Sequence, residues 1–371
     1  MIILLFILGL ALLIGGAEIL VRGAARLATL LGIPPLVIGL TVVAFGTSSP
    51  EFAVAIKSTL NGQGSLALGN IIGSNICNVL LILGLSAMIT PLFVNRQLVR
   101  CEVPLMILVS LAVLLFAWDG ILSRGEGLLL FSGLLAYLAF QIIQSRKEGE
   151  TAAPDEDFGP TDNSKADWLK NTALVIGGLI LLTTGSRWLV SSAVSIAQHF
   201  KVSEAVIGLT VIAVGTSLPE IVTSLIAALR SKGDIAVGSA VGSNLFNLLG
   251  VLGLAGIIAP DGVAVPAATL SLDLPVMLLT ALACLPIFFT DSLISRQEGA
   301  LFFGYYCAYT LHLLLTAAQH EDALPGFDVA IVYFAIPLTA VTLFALSAKE
   351  ARRGIGKPSD NSKKSAAENS E

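Results

Sequence analysis

One block of this chain occurs twice, and it is polar where its surroundings are apolar. Gly39 to Glu51 reads GLTVVAFGTSSPE and returns as GLTVIAVGTSLPE from Gly208 to Glu220. Gly69 to Asn78 reads GNIIGSNICN and returns as GSAVGSNLFN from Gly238 to Asn247. Both pairs are separated by the same offset, so Glu51 matches Glu220 and Asn78 matches Asn247. From Gly39 to Gly84 about 21 of roughly 46 positions are identical to the second copy without a gap, which marks an internal repeat. The chain must therefore fold as two related units, each holding acids, amides and hydroxyls inside apolar segments.

With 55% hydrophobic and 13% charged residues and a mean hydropathy of +0.86, the chain is too apolar for a soluble domain and reads as an all-α, multi-spanning membrane protein. A bilayer core takes about 20 apolar residues per helix. Segments of that length fall near 2–22, 36–58, 65–89, 102–118 and 126–144, then near 170–195, 205–229, 235–258, 272–290 and 299–317. Ile2 to Leu20 reads as the first span rather than a cleaved leader, since no basic residue precedes it and Glu18 interrupts it. Cys77, Cys101, Cys284 and Cys307 have no metal-ligand spacing and read as small hydrophobes.

The repeat extends further. Cys101-Glu102-Val103-Pro104 is echoed by Leu272-Asp273-Leu274-Pro275, and DGILSRGEG from Asp119 by DSLISRQEG from Asp291. Each unit thus has five crossings, and an odd number makes the second enter the bilayer from the opposite side, as in secondary transporters built from inverted repeats. The expected divisions are a first five-helix repeat at 1–144, an acidic cytoplasmic linker at 145–167 and a second, inverted five-helix repeat at 168–318. An extra C-terminal eleventh helix follows within 319–348, and a disordered cytoplasmic tail at 349–371. Lys and Arg counts in short loops put the N-terminus outside and the linker and C-terminus in the cytoplasm. The linker acids lack the spacing of an EF-hand loop and read as a solvated connection.

A carboxylate at mid-bilayer costs about 2.5 to 3.5 kcal/mol on insertion scales, so an intramembrane Glu is a functional hypothesis by default. Glu51 and Glu220 each follow a proline, and no Lys or Arg lies within a turn of either on its own helix. Pro50 and Pro219 cannot donate a backbone hydrogen bond, which frees carbonyls one turn back, at about Gly46, Thr47, Gly215 and Thr216. The hydroxyls of Thr47, Ser48, Thr216 and Ser217 add neutral oxygens. Ser74 and Asn78, like Ser243 and Asn247, are four apart and share a helix face, while Asn75 and Asn244 point elsewhere. All these ligands are oxygen, which suits hard cations and disfavours zinc or copper. Ca²⁺ takes about six to eight oxygens, and Na⁺ can use subsets of the same atoms, so occupancy is competitive and alternating access makes it antiport. Glu18 and Arg187 read as an anchoring pair or snorkelling residues; Glu102, Asp119, Asp273 and Asp291 read as span-end acids within reach of water.

At GTSSPE, GTSLPE, GSNICN and GSNLFN the chain resembles the sodium/calcium exchanger family of the cation/calcium antiporter superfamily, prokaryotic type, over the ten-span core. The resemblance implies two inverted five-helix halves whose first and sixth helices slide against a static bundle. It implies Glu51 and Glu220 as shared ligands of Ca²⁺ and Na⁺, with the carbonyls of Thr47 and Thr216 completing the calcium site. Ser48, Ser74, Ser217 and Ser243, with the carbonyls of Ala44 and Ala213, would form flanking sodium sites, and Asn78 and Asn247 would line the centre. Some relatives, including potassium-dependent ones, carry Asp where this chain has Asn247, which argues against a potassium requirement.

The expected function is Na⁺/Ca²⁺ antiport in the plasma membrane, extruding Ca²⁺. A Ca²⁺/H⁺ antiporter using the same glutamates is the nearest alternative, because two facing carboxylates could carry protons instead. An intramembrane enzyme would need a nucleophile or metal-ligand motif, and neither G-x-S-x-G nor H-E-x-x-H occurs. The expected partners are Ca²⁺, Na⁺ and the lipid bilayer, with no cofactor, no nucleic acid and a monomeric state.

Overall fold

The computed structural model describes residues 2–148, 164–200, 213–289 and 293–317. Most of the linker, the start of the seventh predicted span, the eleventh span, the tail and Asp291 lie outside the described residues. In chain order the helices are α1 (Ile2–Leu31), α2 (Pro35–Thr47), α3 (Ser49–Leu60), α4 (Gly64–Ile89), α5 (Leu98–Asp119) and α6 (Arg124–Glu148). There follow α7 (Lys165–His199), α8 (Ala213–Thr216), α9 (Leu218–Leu229), α10 (Gly233–Ile258), α11 (Thr269–Phe288) and α12 (Arg296–Ala317).

Among the described residues seven helices are long and apolar enough to cross a membrane, or eight if α2 and α3 count as one bent span. The predicted spans near 205–229 and 299–317 coincide with α8, α9 and α12, which are helical but not among those eight. The all-α expectation holds for the spans. Four two-residue strands in the connections were not foreseen: β1 (Leu92–Phe93), β2 (Ile121–Leu122), β3 (Val263–Ala264) and β4 (Leu293–Ile294).

Burial runs inside out relative to a water-soluble protein. Large apolar side chains cover outward faces, among them Ile3, Ile7, Leu108, Leu115, Leu129, Leu135, Ile176 and Ile180, while Glu51, Asn78, Glu220 and Asn247 are buried. Hydrocarbon offers no hydrogen-bond partner, so polar groups are stable only where protein surrounds them. α4 and α10, which carry the second repeated motif, are the most enclosed helices and form the centre.

Contacts between the repeat units are reciprocal. β1 of the first unit pairs antiparallel with β4 of the second, and β2 with β3. The end of α4 meets α12 through Gly84 and Gly299, and the end of α10 meets α6 through Gly253 and Gly127. The DGILSRGEG and DSLISRQEG echo is explained by helix capping. Ser123 Oγ and Ser295 Oγ accept from the backbone N–H of Glu126 and Glu298, whose carboxylates accept in return from the backbone N–H of Ser123 and Ser295.

α1 and α7 cross at Gly9 and Gly16 against Gly185 and Gly178. A Cβ on Gly178 would lie 2.8 Å from the Gly16 carbonyl oxygen and from Leu20 N, so the backbones touch. Gly177 on the same helix has nothing within 4 Å. Gly178→Val is expected to lower stability by about 1 to 3 kcal/mol, the usual cost of overpacking. Thermal unfolding in detergent should show that loss, with Gly177→Val near wild type.

Candidate functional site

Two helix breaks face each other. Ser48 (φ −77°, ψ 4°) separates α2 from α3, whose axes are bent by 45°, and Ser217 (φ −86°, ψ 5°) separates α8 from α9. The cause is local. Pro50 has no N–H to offer the Gly46 carbonyl, nor Pro219 the Gly215 carbonyl, so each helix loses a rung and restarts with a carboxylate in its first turn. On α4 and α10 a wide π-helical turn occupies Cys77–Leu83 and Phe246–Leu252, containing Asn78 and Asn247. Such turns shift the side-chain register and concentrate at functional sites.

The hydrogen bonds run across the two units. Ser48 Oγ donates to Glu220 Oε1 at 3.0 Å, and Ser217 Oγ to Glu51 Oε1 at 3.4 Å. Ser74 Oγ also donates to Glu51 Oε1 at 3.4 Å and lies 3.2 Å from Ser217 Oγ. Each glutamate is therefore held by the serine at the other unit's helix break. Glu51, Glu220, Ser48, Ser74 and Ser217 are at most 2% exposed, and the ion pairs among the described residues include neither acid.

The amides form a second reciprocal layer. Asn78 Nδ2 donates to Asn244 Oδ1 at 2.9 Å, and Asn247 Nδ2 to Asn75 Oδ1 at 3.0 Å. Asn75 and Asn244 in turn donate to each other's backbone carbonyls at 3.4 and 3.3 Å. This fixes the orientation of the outer pair, with Asn78 and Asn247 using their NH₂ groups for structure and keeping Oδ1 as an acceptor. Asn75 and Asn244 are the residues that sequence reasoning set aside. Their signal was present, since the GSN triplet is identical in both copies.

Four buried oxygens of this set accept no hydrogen bond: Glu51 Oε2, Glu220 Oε2, Asn78 Oδ1 and Asn247 Oδ1; Ser243 Oγ is also unpartnered. Buried polar atoms left without partners are rare and costly in isolation. Here the four are all acceptors, two on carboxylates, and occur in matched pairs. That donor set fits a hard cation with oxygen ligands. Among the described residues no group of three His, Cys, Asp or Glu could hold a metal ion, so a cation here would be shared between two carboxylates and neutral oxygens.

Other expected ligands are more constrained. Thr47 Oγ1 bends back to the carbonyls of Val43 (3.0 Å) and Ala44 (3.3 Å), and Thr216 Oγ1 to Asn70 Oδ1 at 3.3 Å, so the hydroxyls are engaged. The Ala44 carbonyl also accepts from Ser48 N at 3.0 Å, so ligation there would displace a donor. Ala213 opens α8. The Gly215 carbonyl freed by Pro219 is taken by Ser186 Oγ of α7 at 2.8 Å, a contact no sequence pattern indicated.

Two readings of peripheral charges change. Glu102 is 1% exposed rather than in reach of water, and accepts from Gln141 Nε2 at 2.7 Å and Gln97 Nε2 at 3.4 Å, tying α5 to α6. Its counterpart Asp273 accepts from Tyr309 Oη at 2.9 Å. Glu18 pairs with Arg22 and Arg230, while Arg187 is exposed.

Comparison with known proteins agrees with this geometry. The model of a family described as sodium/calcium exchanger protein matches residues 1–143 and 170–315, and the chain belongs to that family. It is 31% identical over 343 residues to the sodium/calcium exchanger MaX1 of Methanosarcina acetivorans, covering 84% of this chain and 97% of the relative. It is 40% identical over 284 residues to the inner membrane protein YrbG of Escherichia coli, covering 75% and 86%. A solved structure of the sodium-calcium exchanger NCX_Mj superposes with a TM-score of 0.72 at 32% identity, covering 83% of this chain and 98% of that one.

The amide layer yields a test. Asn75→Ala removes the acceptor that orients Asn247 and leaves a buried NH₂ without a partner. Calorimetric titration of the variant with Ca²⁺ is expected to show about a tenfold weaker affinity than wild type, the scale of one lost buried hydrogen bond.

Proposed function

We propose that this chain is a secondary antiporter that exchanges Na⁺ for Ca²⁺ by alternating access, with Glu51 and Glu220 as the ligands both ions share. The observation that carries the reading is the set of four donorless buried oxygens around two carboxylates with no cationic side chain in pairing contact. Removing two charges from water without compensation is prohibitive, so the site requires a cation or protons for much of its cycle. One Ca²⁺ neutralises both carboxylates. Na⁺ ions would neutralise them one at a time, aided by Ser48, Ser74, Ser217 and Ser243 and by the backbone carbonyls of Ala44, Thr47, Ala213 and Thr216. Because both ions need Glu51 and Glu220, each excludes the other, and release of one on the far side permits loading of the other. Asn78 and Asn247 contribute neutral acceptors. With Asn rather than Asp at 247 the central charge is two, which supports exchange without K⁺.

The same reading places two inverted five-helix units at 1–144 and 168–318, joined by the linker at 145–167, with an eleventh helix in 319–348 before the tail at 349–371. The reciprocal strand, glycine and hydrogen-bond contacts support a two-fold relation between the units. The lysine and arginine distribution supports an N-terminus outside and a cytoplasmic linker and C-terminus. A plasma membrane location is supported by the description of YrbG as an inner membrane protein. A complete site within one chain supports a functional monomer, working with ions and lipid alone.

Vesicles containing the purified protein, loaded with Na⁺ and diluted into Na⁺-free buffer with tracer Ca²⁺, are expected to accumulate Ca²⁺ only when the gradient is present. Glu51→Gln and Glu220→Gln should each reduce uptake to that of protein-free vesicles while leaving expression intact. Uptake driven by a pH gradient with Na⁺ absent would replace Na⁺ by H⁺ as the coupling ion.

A further inference from the structure

A cavity of about 650 Å³ lies where α1, α7 and the turn between α9 and α10 meet. It is lined by Arg22 and Arg26 of α1, Lys170 of α7, and Arg230, Ser231 and Lys232 of the turn between α9 and α10. The lining itself holds five cationic side chains and no carboxylate. Glu18, outside that lining, is held by Arg22 Nε at 2.6 Å and by an Arg230 guanidinium nitrogen at 2.6 Å. Arg22 and Arg230 remain more than half exposed despite their pairing, so their outer N–H groups can still donate.

The second observation is conformational. Ser231 has φ 57°, in the left-handed region, and is the non-glycine residue with positive φ among the described residues. Its repeat counterpart is Gly62, at φ 76° in the matching turn. The fold needs a left-handed residue here, and glycine supplies it without strain in the first unit. The second unit keeps a hydroxyl there instead, and places it in the lining of a cationic cavity. Residues held in sparsely populated backbone regions cluster at ligand clamps.

The repeat also shows that the charge is not required by the fold. Arg230-Ser231-Lys232 corresponds to Asn61-Gly62-Gln63, and Arg22 and Arg26 correspond to Ser191 and Ser195. The matching positions of the other unit are uncharged. A topology signal accounts for positive charge on one side of a membrane, since it counts Lys and Arg in any short loop. It does not account for their convergence on one cavity around a strained serine.

We propose that this cavity is an anion site that takes the phosphate of an anionic lipid headgroup. Guanidinium groups bind phosphate bidentately, Lys170 adds a point charge, and the Ser231 hydroxyl can donate to a third oxygen. The lipid source follows from position: the cavity lies between the C-terminal half of α1 and the first turns of α7, both long enough to span a bilayer, and basic pockets between such helices bind lipid head groups. Apolar Ile19 of α1, Leu174 of α7 and Leu229 of α9 also line it, as acyl chains would require.

The test uses the full-length protein, delipidated in a neutral detergent, with short-chain phosphatidylglycerol, short-chain phosphatidylcholine and inorganic phosphate as separate probes. Binding is read by native mass spectrometry and by the shift in unfolding temperature. Phosphatidylglycerol is expected to bind and stabilise the wild type, with phosphatidylcholine inert and inorganic phosphate weak. Lys170→Gln should weaken phosphatidylglycerol binding about tenfold, the scale of one charge-assisted hydrogen bond. Ser231→Gly relieves the backbone strain, so it should unfold no earlier than wild type without lipid yet gain less from phosphatidylglycerol. Stabilisation by inorganic phosphate as strong as by the lipid would overturn the headgroup assignment. Equal lipid binding by wild type and both variants would overturn the site itself.

Discussion

The structure depends on two carboxylates being kept inside a bilayer protein without a basic partner among the described residues. Everything around Glu51 and Glu220 answers that electrostatic demand. Each acid is held by a serine from the opposite unit, so neither copy can make the site alone. The helix breaks at Ser48 and Ser217 are what bring those serines across, and the prolines that cause the breaks sit directly before the acids they serve. α4 and α10 then enclose the pair, and their amide layer holds two acceptors in place without presenting an N–H to them. A site built this way offers oxygen lone pairs and formal negative charge, the donor set that suits a hard cation.

Much of this was legible in the sequence, for a specific reason. The acids, the prolines and the SN-x-x-N pattern recur at one offset, and a buried acid in a membrane helix is costly enough to be informative by itself. The legibility failed where a residue acts through shape or through a distant partner. Asn75 and Asn244 were assigned away from the site because helix periodicity turns them from Asn78 and Asn247; they reach the other unit instead. Glu102 was placed near water because it lies at a span end, whereas Gln97 and Gln141 enclose it through tertiary contacts that no local pattern encodes. The two short strand pairs were missed because two-residue strands carry no periodicity. The DGILSRGEG echo was read as a mark of the repeat, and its physical content is a pair of capping boxes.

The glycines of the second motif also act through a distant partner: Gly238 and Gly242 would drive a Cβ into the backbone of α2 at Leu36 and Leu40, and the residues matching Leu36 and Leu40 in the other unit lie outside the described residues.

The two units differ at the breaks themselves. Ser186 Oγ satisfies the carbonyl that Pro219 leaves free at Gly215, while the matching position on α1 is Ala17, which has no hydroxyl to give Gly46. A net hydrogen bond is worth about 1 kcal/mol, or roughly a fivefold population ratio. In an alternating-access cycle the inward-open and outward-open forms of a perfectly two-fold carrier would be equally populated at rest. A latch in one half makes the two breaks unequal, so a cycle in which that bond were made in one form and lost in the other would start from two unequal populations.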